Sequence, residues 1–183
     1  DFEAVAEKLL EMGVTTSSQL ACRGGSNGGL LVGNALVRRP DLWGAVVCAV
    51  PLLDMRRFNK LLAGSSWMAE YGDPDTADWG FMQQYSPYHN VDLGAKYPPL
   101  LVTTSTRDDR VHPYHARAFV KRLEEAGNCE GLLYYENIEG GHGGAADPKQ
   151  QAFMMCLYIE FLCKTIGKDY APFSEQKQAT LAA

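Results

Sequence analysis

The chain has 183 residues, 46% of them hydrophobic and 21% charged, which is the composition of a globular protein long enough for one domain with a sizeable core. Its net charge of −5 gives no basis for a nucleic-acid partner or an anionic membrane surface. Its apolar runs are all far shorter than a membrane span.

The five cysteines, Cys22, Cys48, Cys129, Cys156 and Cys163, are odd in number and show no paired spacing, which argues against a disulfide framework. Cys22 and Cys48 stand in apolar strand-like runs. Cys156 and Cys163 share a helical spacing, so all four read as small core residues. Without a Cys-x-x-Cys pair, a zinc site is not expected.

In chain order, Phe2, Val5, Ala6, Leu9 and Leu10 mark one face of a helix that Gly13 is placed to end. Leu20 to Cys22 reads as a strand, and Leu30 to Arg38 as a helix stopped near Pro40. Between them lies Arg23-Gly24-Gly25-Ser26-Asn27-Gly28-Gly29. The pattern Gly24-x-Ser26-x-Gly28 between strand and helix is the signature of a nucleophile elbow. Glycine is required where strand and helix nearly touch, and the serine hydroxyl is presented at a helix N-terminus that favours a developing anion. A Gly-rich turn of no chemical consequence is the plain alternative. A phosphate-cradling loop is disfavoured because the stretch has neither a Gly-Lys-Ser/Thr ending nor Gly-x-Gly-x-x-Gly spacing.

Ala45 to Val50 is a continuous apolar run with β-branched residues, as in a buried parallel strand, and Pro51 ends it. From Leu52 to about Tyr97 the periodicity is lost. Trp67, Tyr71, Trp79, Phe81, Tyr85 and Tyr88 punctuate short helical pieces broken by Gly72-Asp73-Pro74 and Ser86-Pro87. This excursion is expected to shape a pocket, with most of its aromatics merely packing it. Pro98 to Thr104 is a third strand, followed by the polar loop Ser105 to Val111. A helix over His115–Ala126 turns Phe119, Val120 and Leu123 inward. Leu132 to Ile138 is a fourth strand, then Glu139-Gly140-Gly141-His142-Gly143-Gly144, then a helix from about Pro148 to Ile166. The tail, 168–183, shows little periodicity. Strand–helix alternation of this kind implies a parallel sheet with helices on both faces.

In such sheets the reactive groups collect in loops beyond the C-terminal strand ends. Here those loops carry Ser26, then Asp108 and Asp109, then His142, which is the chain order of an α/β-hydrolase triad. Serine needs a base to take its proton, imidazole can do so near neutrality, and a carboxylate fixes the imidazole's tautomer. Either aspartate suits that last role. His142 alone would read as a turn residue; its coincidence with the other two loops points to catalysis. His89, His112 and His115 read as structural or surface residues, and the pair His112/His115 lacks a third ligand for a metal.

These residues resemble the catalytic domain of the prolyl oligopeptidase family of serine peptidases. The resemblance rests on Arg-Gly-Gly-Ser-Asn-Gly-Gly-Leu-Leu at 23–31, Arg-Pro-Asp-Leu at 39–42, Asp54-Met55, Trp67 with Tyr71-Gly72, Tyr85-Ser86-Pro87-Tyr88-His89-Asn90-Val91, Asp108-Asp109-Arg110-Val111-x-Pro113 and Gly141-His142-Gly143. It spans nearly the whole chain before the tail. The resemblance implies that Ser26 is the nucleophile, Asp108 rather than Asp109 the carboxylate and His142 the base, with the Asn27 N–H as one oxyanion donor. It further implies that Trp67 stacks on a substrate proline, that Leu52, Tyr71 and Val111 line the same pocket, and that Arg110 binds the preceding carbonyl. No metal or cofactor is implied, and the expected partner is a short peptide substrate.

By the same resemblance, residues 1–167 are the C-terminal part of an α/β-hydrolase domain and 168–183 its tail. The family's N-terminal β-propeller, its earlier strands and a tyrosine that supplies the second oxyanion donor are expected outside this chain. The elbow strand would then lie at a sheet edge, and loss of one oxyanion donor would cost about a hundredfold to a thousandfold in rate. Three other readings stand beside this one: a basic-residue oligopeptidase, suggested by Glu70, an aminopeptidase-like relative or esterase of the same fold, and an inert fragment. The compartment, cytoplasmic or periplasmic, is left open.

Overall fold

A computed structural model describes residues 1–128 and 130–167, so the cysteine at 129 and the expected tail at 168–183 lie outside the described residues. Helix α1 (Phe2–Glu11) leads to β1 (Ala21–Gly25), α2 (Asn27–Arg38) and β2 (Ala45–Ala49). The excursion after β2 holds the short helices α3 (Met68–Tyr71) and α4 (Trp79–Met82) among several 3-10 turns. Strand β3 (Leu100–Ser105), α5 (Tyr114–Glu125), β4 (Leu132–Asn137) and α6 (Pro148–Ile166) complete it. The four strands pair in parallel in the order β1-β2-β3-β4, with Ala21 opposite Ala45, Val46 opposite Leu100 and Leu100 opposite Leu132. The elbow strand β1 thus forms one edge of this sheet.

The period-two alternation of strand side chains separates two apolar layers. Cys22, Val46, Cys48, Leu100 and Val102 face α1, α2 and α5, meeting Ala6, Val32, Leu36, Phe119 and Leu123. Ala45, Val47, Ala49 and Leu101 face α6, meeting Met154, Tyr158 and Phe161. Strand β2 is buried along its whole length, which explains its unbroken apolar sequence. A third cluster, with Phe58, Met55, Met82, Leu52 and Val111 at its centre, lies beneath the excursion.

Three local readings change. Helix α2 starts at Asn27, three residues before its apolar periodicity, because Gly28 and Gly29 carry no hydrophobic signal although the backbone is already helical. In α1, Ala6 is buried and Phe2 and Leu10 pack beside it, whereas Val5 points outward at 60% exposure. On α6 the buried stripe is Met154, Tyr158 and Phe161, so Cys156 falls on the exposed side and Cys163 is only partly covered. The α6 sequence is apolar all round, with Phe153, Met155 and Ile159 also exposed, so spacing alone does not select the inward stripe. Among the described residues, no helix is long and apolar enough to cross a membrane.

Candidate active site

Strand β1 and helix α2 meet at Ser26, whose φ of 58° and ψ of −118° lie where L-residues are rarely found. Neighbouring backbone holds it there. The Ser26 N–H donates to the Ala49 carbonyl at 3.0 Å, and the Ser26 carbonyl accepts from the N–H groups of Leu30 at 3.2 Å and Leu52 at 3.3 Å. A methyl group on Gly24 would sit 2.0 Å from the Gly28 carbonyl oxygen, and one on Gly29 would sit 2.7 Å from Pro51 Cα. Gly24 is therefore required by contact between backbones, as the sequence pattern implied, whereas nothing lies within 4 Å of a methyl group on Gly28, and the second crowded glycine is Gly29, outside that pattern. With the Ser26 N–H committed to Ala49, the next amide along the elbow is that of Asn27. It is the first amide of α2 and has no intrahelical acceptor.

The loop after β3 brings Asp108 beneath the loop after β4. The carboxylate is buried, and its Oδ1 accepts from the N–H groups of Arg110 and Val111, both at 2.9 Å. His142 Nδ1 lies 2.8 Å from Asp108 Oδ2 and 3.1 Å from Oδ1, and His142 Nε2 lies 3.0 Å from Ser26 Oγ. With Nδ1–H donating to the carboxylate, Nε2 is left to accept the serine hydroxyl proton. Asp109 is exposed, so the geometry separates the two adjacent aspartates that the residues alone left equivalent.

Beside the hydroxyl is a pocket of about 170 Å³ lined by Ser26, Asn27, Leu52, Trp67, Glu70, Tyr71, Arg110 and Val111. Every residue assigned to substrate contact on sequence lies in this lining. Leu52 and Val111 form its buried floor, and Glu70 and Arg110 stand exposed at the rim. The Tyr71 hydroxyl donates to Asn27 Oδ1 at 2.8 Å, and the Tyr85 hydroxyl donates to the Tyr71 carbonyl at 2.7 Å, tying the excursion to the elbow. Burial, reinforced by Glu70 and Tyr85, holds the Tyr71 phenol above its ordinary pKa and so keeps it a neutral donor. The other excursion aromatics behave as packing: Trp79 and Tyr85 cover the third cluster. A larger hollow of about 650 Å³ between β4 and the start of α6 contains none of these groups.

The remaining histidines have structural surroundings. His115 is buried, and its Nδ1 accepts from the N–H groups of Asp54 at 3.0 Å and Leu53 at 3.4 Å. His89 shares a 2.8 Å hydrogen bond with Ser86, and burial lowers its pKa. His112 Nδ1 accepts from the Tyr114 N–H. Among the described residues, no three His, Cys, Asp or Glu side chains are grouped to hold a metal ion. Sequence reasoning passed over two residues beneath the site, Asn137 and Gln150; an asparagine before a glycine run signals only a turn.

A parallel sheet with a serine elbow after its first strand, an acid loop after its third and a histidine loop after its fourth is part of an α/β-hydrolase fold. More narrowly, the chain belongs to the prolyl oligopeptidase family, whose profile matches residues 1–169. It is 51% identical over 153 residues to an uncharacterized peptidase of Sinorhizobium fredii, covering 83% of this chain and 21% of that protein. It is 39% identical over 153 residues to a prolyl endopeptidase of Elizabethkingia meningoseptica, covering 82% of this chain and 22% of that one. A solved post-proline cleaving enzyme from Rickettsia typhi superposes with a TM-score of 0.82 at 41% identity, over 90% of this chain and 24% of its own. Oligopeptidase B from Leishmania major superposes with a TM-score of 0.85 at 32% identity, over 90% of this chain and 23% of its own. The chain thus spans about a fifth to a quarter of the relatives it matches.

Proposed function

We propose that the protein is a serine peptidase that cleaves short peptides on the carboxyl side of proline through an acyl-enzyme. The observation that carries this reading is the unbroken line from Ser26 Oγ through His142 to Asp108 at the mouth of the Trp67 pocket. Ser26 attacks the carbonyl carbon while His142 Nε2 takes its proton and then gives it to the leaving amine. Asp108 holds the imidazole and balances the imidazolium, and water repeats the sequence on the acyl-enzyme. The Asn27 N–H, at the positive end of α2, faces the developing oxyanion. The flat indole of Trp67 suits a pyrrolidine ring, and the Arg110 guanidinium at the rim suits the carbonyl before it. The second oxyanion donor and an N-terminal β-propeller that admits only short peptides belong to the same proposal. No metal or organic cofactor enters it.

Glu70 at the pocket rim supports a second reading, cleavage after basic residues. The two are separated in the full chain by comparing kcat/KM for matched prolyl and arginyl amides. Preference for the prolyl amide by tenfold or more supports the first; the reverse order replaces it with the second. A fluorophosphonate that labels wild type but not Ser26→Ala supports the serine mechanism. Absence of labelling in folded wild type makes the chain an inert relative.

A further inference from the structure

We infer that Asn137 is a positioning residue for His142, acting with Gln150 to hold both arms of the histidine loop. This rests on the reading of His142 as the base. Between Asn137 and Pro148 the chain has no regular element; one backbone turn bond, from the Gly144 N–H to the Gly141 carbonyl at 2.9 Å, brackets His142, and side chains tie that turn to the elements on either side. Asn137, 6% exposed at the end of β4, uses its entire carboxamide for this. Its Oδ1 accepts from the N–H groups of Glu139 at 2.9 Å and Gly140 at 3.1 Å on the outgoing arm. Its Nδ2 donates to the Gly144 carbonyl at 3.0 Å on the returning arm and to Gln150 Oε1 at 2.8 Å on α6. That is two bonds accepted and two donated, the full capacity of the group.

Gln150 extends the clamp. Its Oε1 also accepts from the Ala146 N–H at 2.9 Å, and its Nε2 donates to Glu139 Oε2 at 2.6 Å. The two arms are packed so closely that a methyl group on Gly140 would lie 2.9 Å from the Ala145 nitrogen and 3.0 Å from Asn137 Nδ2. The imidazole must meet Ser26 at 3.0 Å and Asp108 at 2.8 Å at once. A displacement of about 1 Å at such a group costs on the order of a hundredfold in rate. A buried carboxamide joining both arms supplies that tolerance, which glycines on their own do not.

The test uses the full chain and the rate at which a fluorophosphonate phosphonylates Ser26 with loss of fluoride, which does not depend on peptide preference. Asn137→Ala is expected to lower the limiting phosphonylation rate about a hundredfold while the probe's half-saturation stays within about twofold. Asn137→Asp keeps the acceptor and loses the donors, and is expected to fall between the alanine variant and wild type. A change confined to global stability would leave the limiting rate per folded molecule unmoved, and that result, or a change in half-saturation alone, overturns the inference. If Asn137→Ala does not fold, Gln150→Ala decides: a limiting rate lowered about tenfold supports the clamp, and an unchanged one overturns it. His142→Ala serves as the reference. If it is phosphonylated at the wild-type rate, the underlying reading of the site fails, whatever Asn137 does.

Discussion

The two loops that meet at the site are held by different means. The serine turn is fixed by backbone against backbone: Gly24 against the Gly28 carbonyl, Gly29 against Pro51, and the Ser26 N–H on Ala49. The histidine loop has one close backbone approach, at Gly140, and one turn bond, from the Gly144 N–H to the Gly141 carbonyl, but its arms are bridged mainly by side-chain amides. Steric fastening leaves no adjustable atoms and writes itself into the sequence as glycines at set offsets. Polar fastening is divisible and leaves almost no sequence pattern.

The contrast is broken most severely by Gly24→Ala. The added methyl meets backbone at 2.0 Å, so no rotamer change relieves it. The expected cost exceeds about 4 kcal/mol, seen as failure to fold or a large drop in Tm. Next is acid. The wall behind the serine turn, Leu53 and Asp54, is tied to α5 through His115, whose burial pushes its pKa down to about 4 from an ordinary 6.5. The unfolded chain takes up this proton before the folded one does. The contribution is therefore complete above about pH 6.5 and is lost as pH falls toward 4, by about 3 kcal/mol at the limit. Urea unfolding at pH 7, 5.5 and 4 measures it, and His115→Gln should flatten the slope. Glu136, held near 2 chiefly by its hydrogen bond from Arg117, acts in a separate window, losing its contribution as pH falls below about 4.5.

A smaller effect is expected on the histidine side. Arg117→Met removes the bond from Arg117 Nε to Glu136 that joins α5 to β4. The arginine is half exposed, so the loss should be no more than about 1 kcal/mol and should shrink with added salt. The smallest is Gly143→Ala. Nothing lies within 4 Å of the new methyl, and thermal melting should change by less than about 0.5 kcal/mol. A large loss there would mean that steric fixing extends from Gly140 to the apex of this loop.

The same division explains what could be read from residues alone. The chain order of serine, aspartate and histidine loops, the buried strand at 45–49 and the parallel sheet were legible because their constraints are local or periodic, whereas the choice of Asp108 over Asp109 came only with the family resemblance. The pocket lining from Leu52 to Val111 was legible only through family resemblance, since the excursion folds as short turns with no period. Asn137 and Gln150 were not legible, because their partners are mostly main-chain atoms that any sequence supplies. The inward stripe of α6 was equally hidden, since apolar residues surround that helix and only the neighbouring sheet selects Met154, Tyr158 and Phe161.

The hydroxyl at 26 and the imidazole at 142 are 116 residues apart, and only the docking of β4 onto β3 brings them together. Contacts so distant in sequence form late, after the intervening chain has paid its closure entropy. On the proposed mechanism, a ribosome-bound chain that has exposed the serine but not β4 carries a nucleophile with no base. On that mechanism synthesis order acts as a latch, leaving the hydroxyl without its base until β4 is in place.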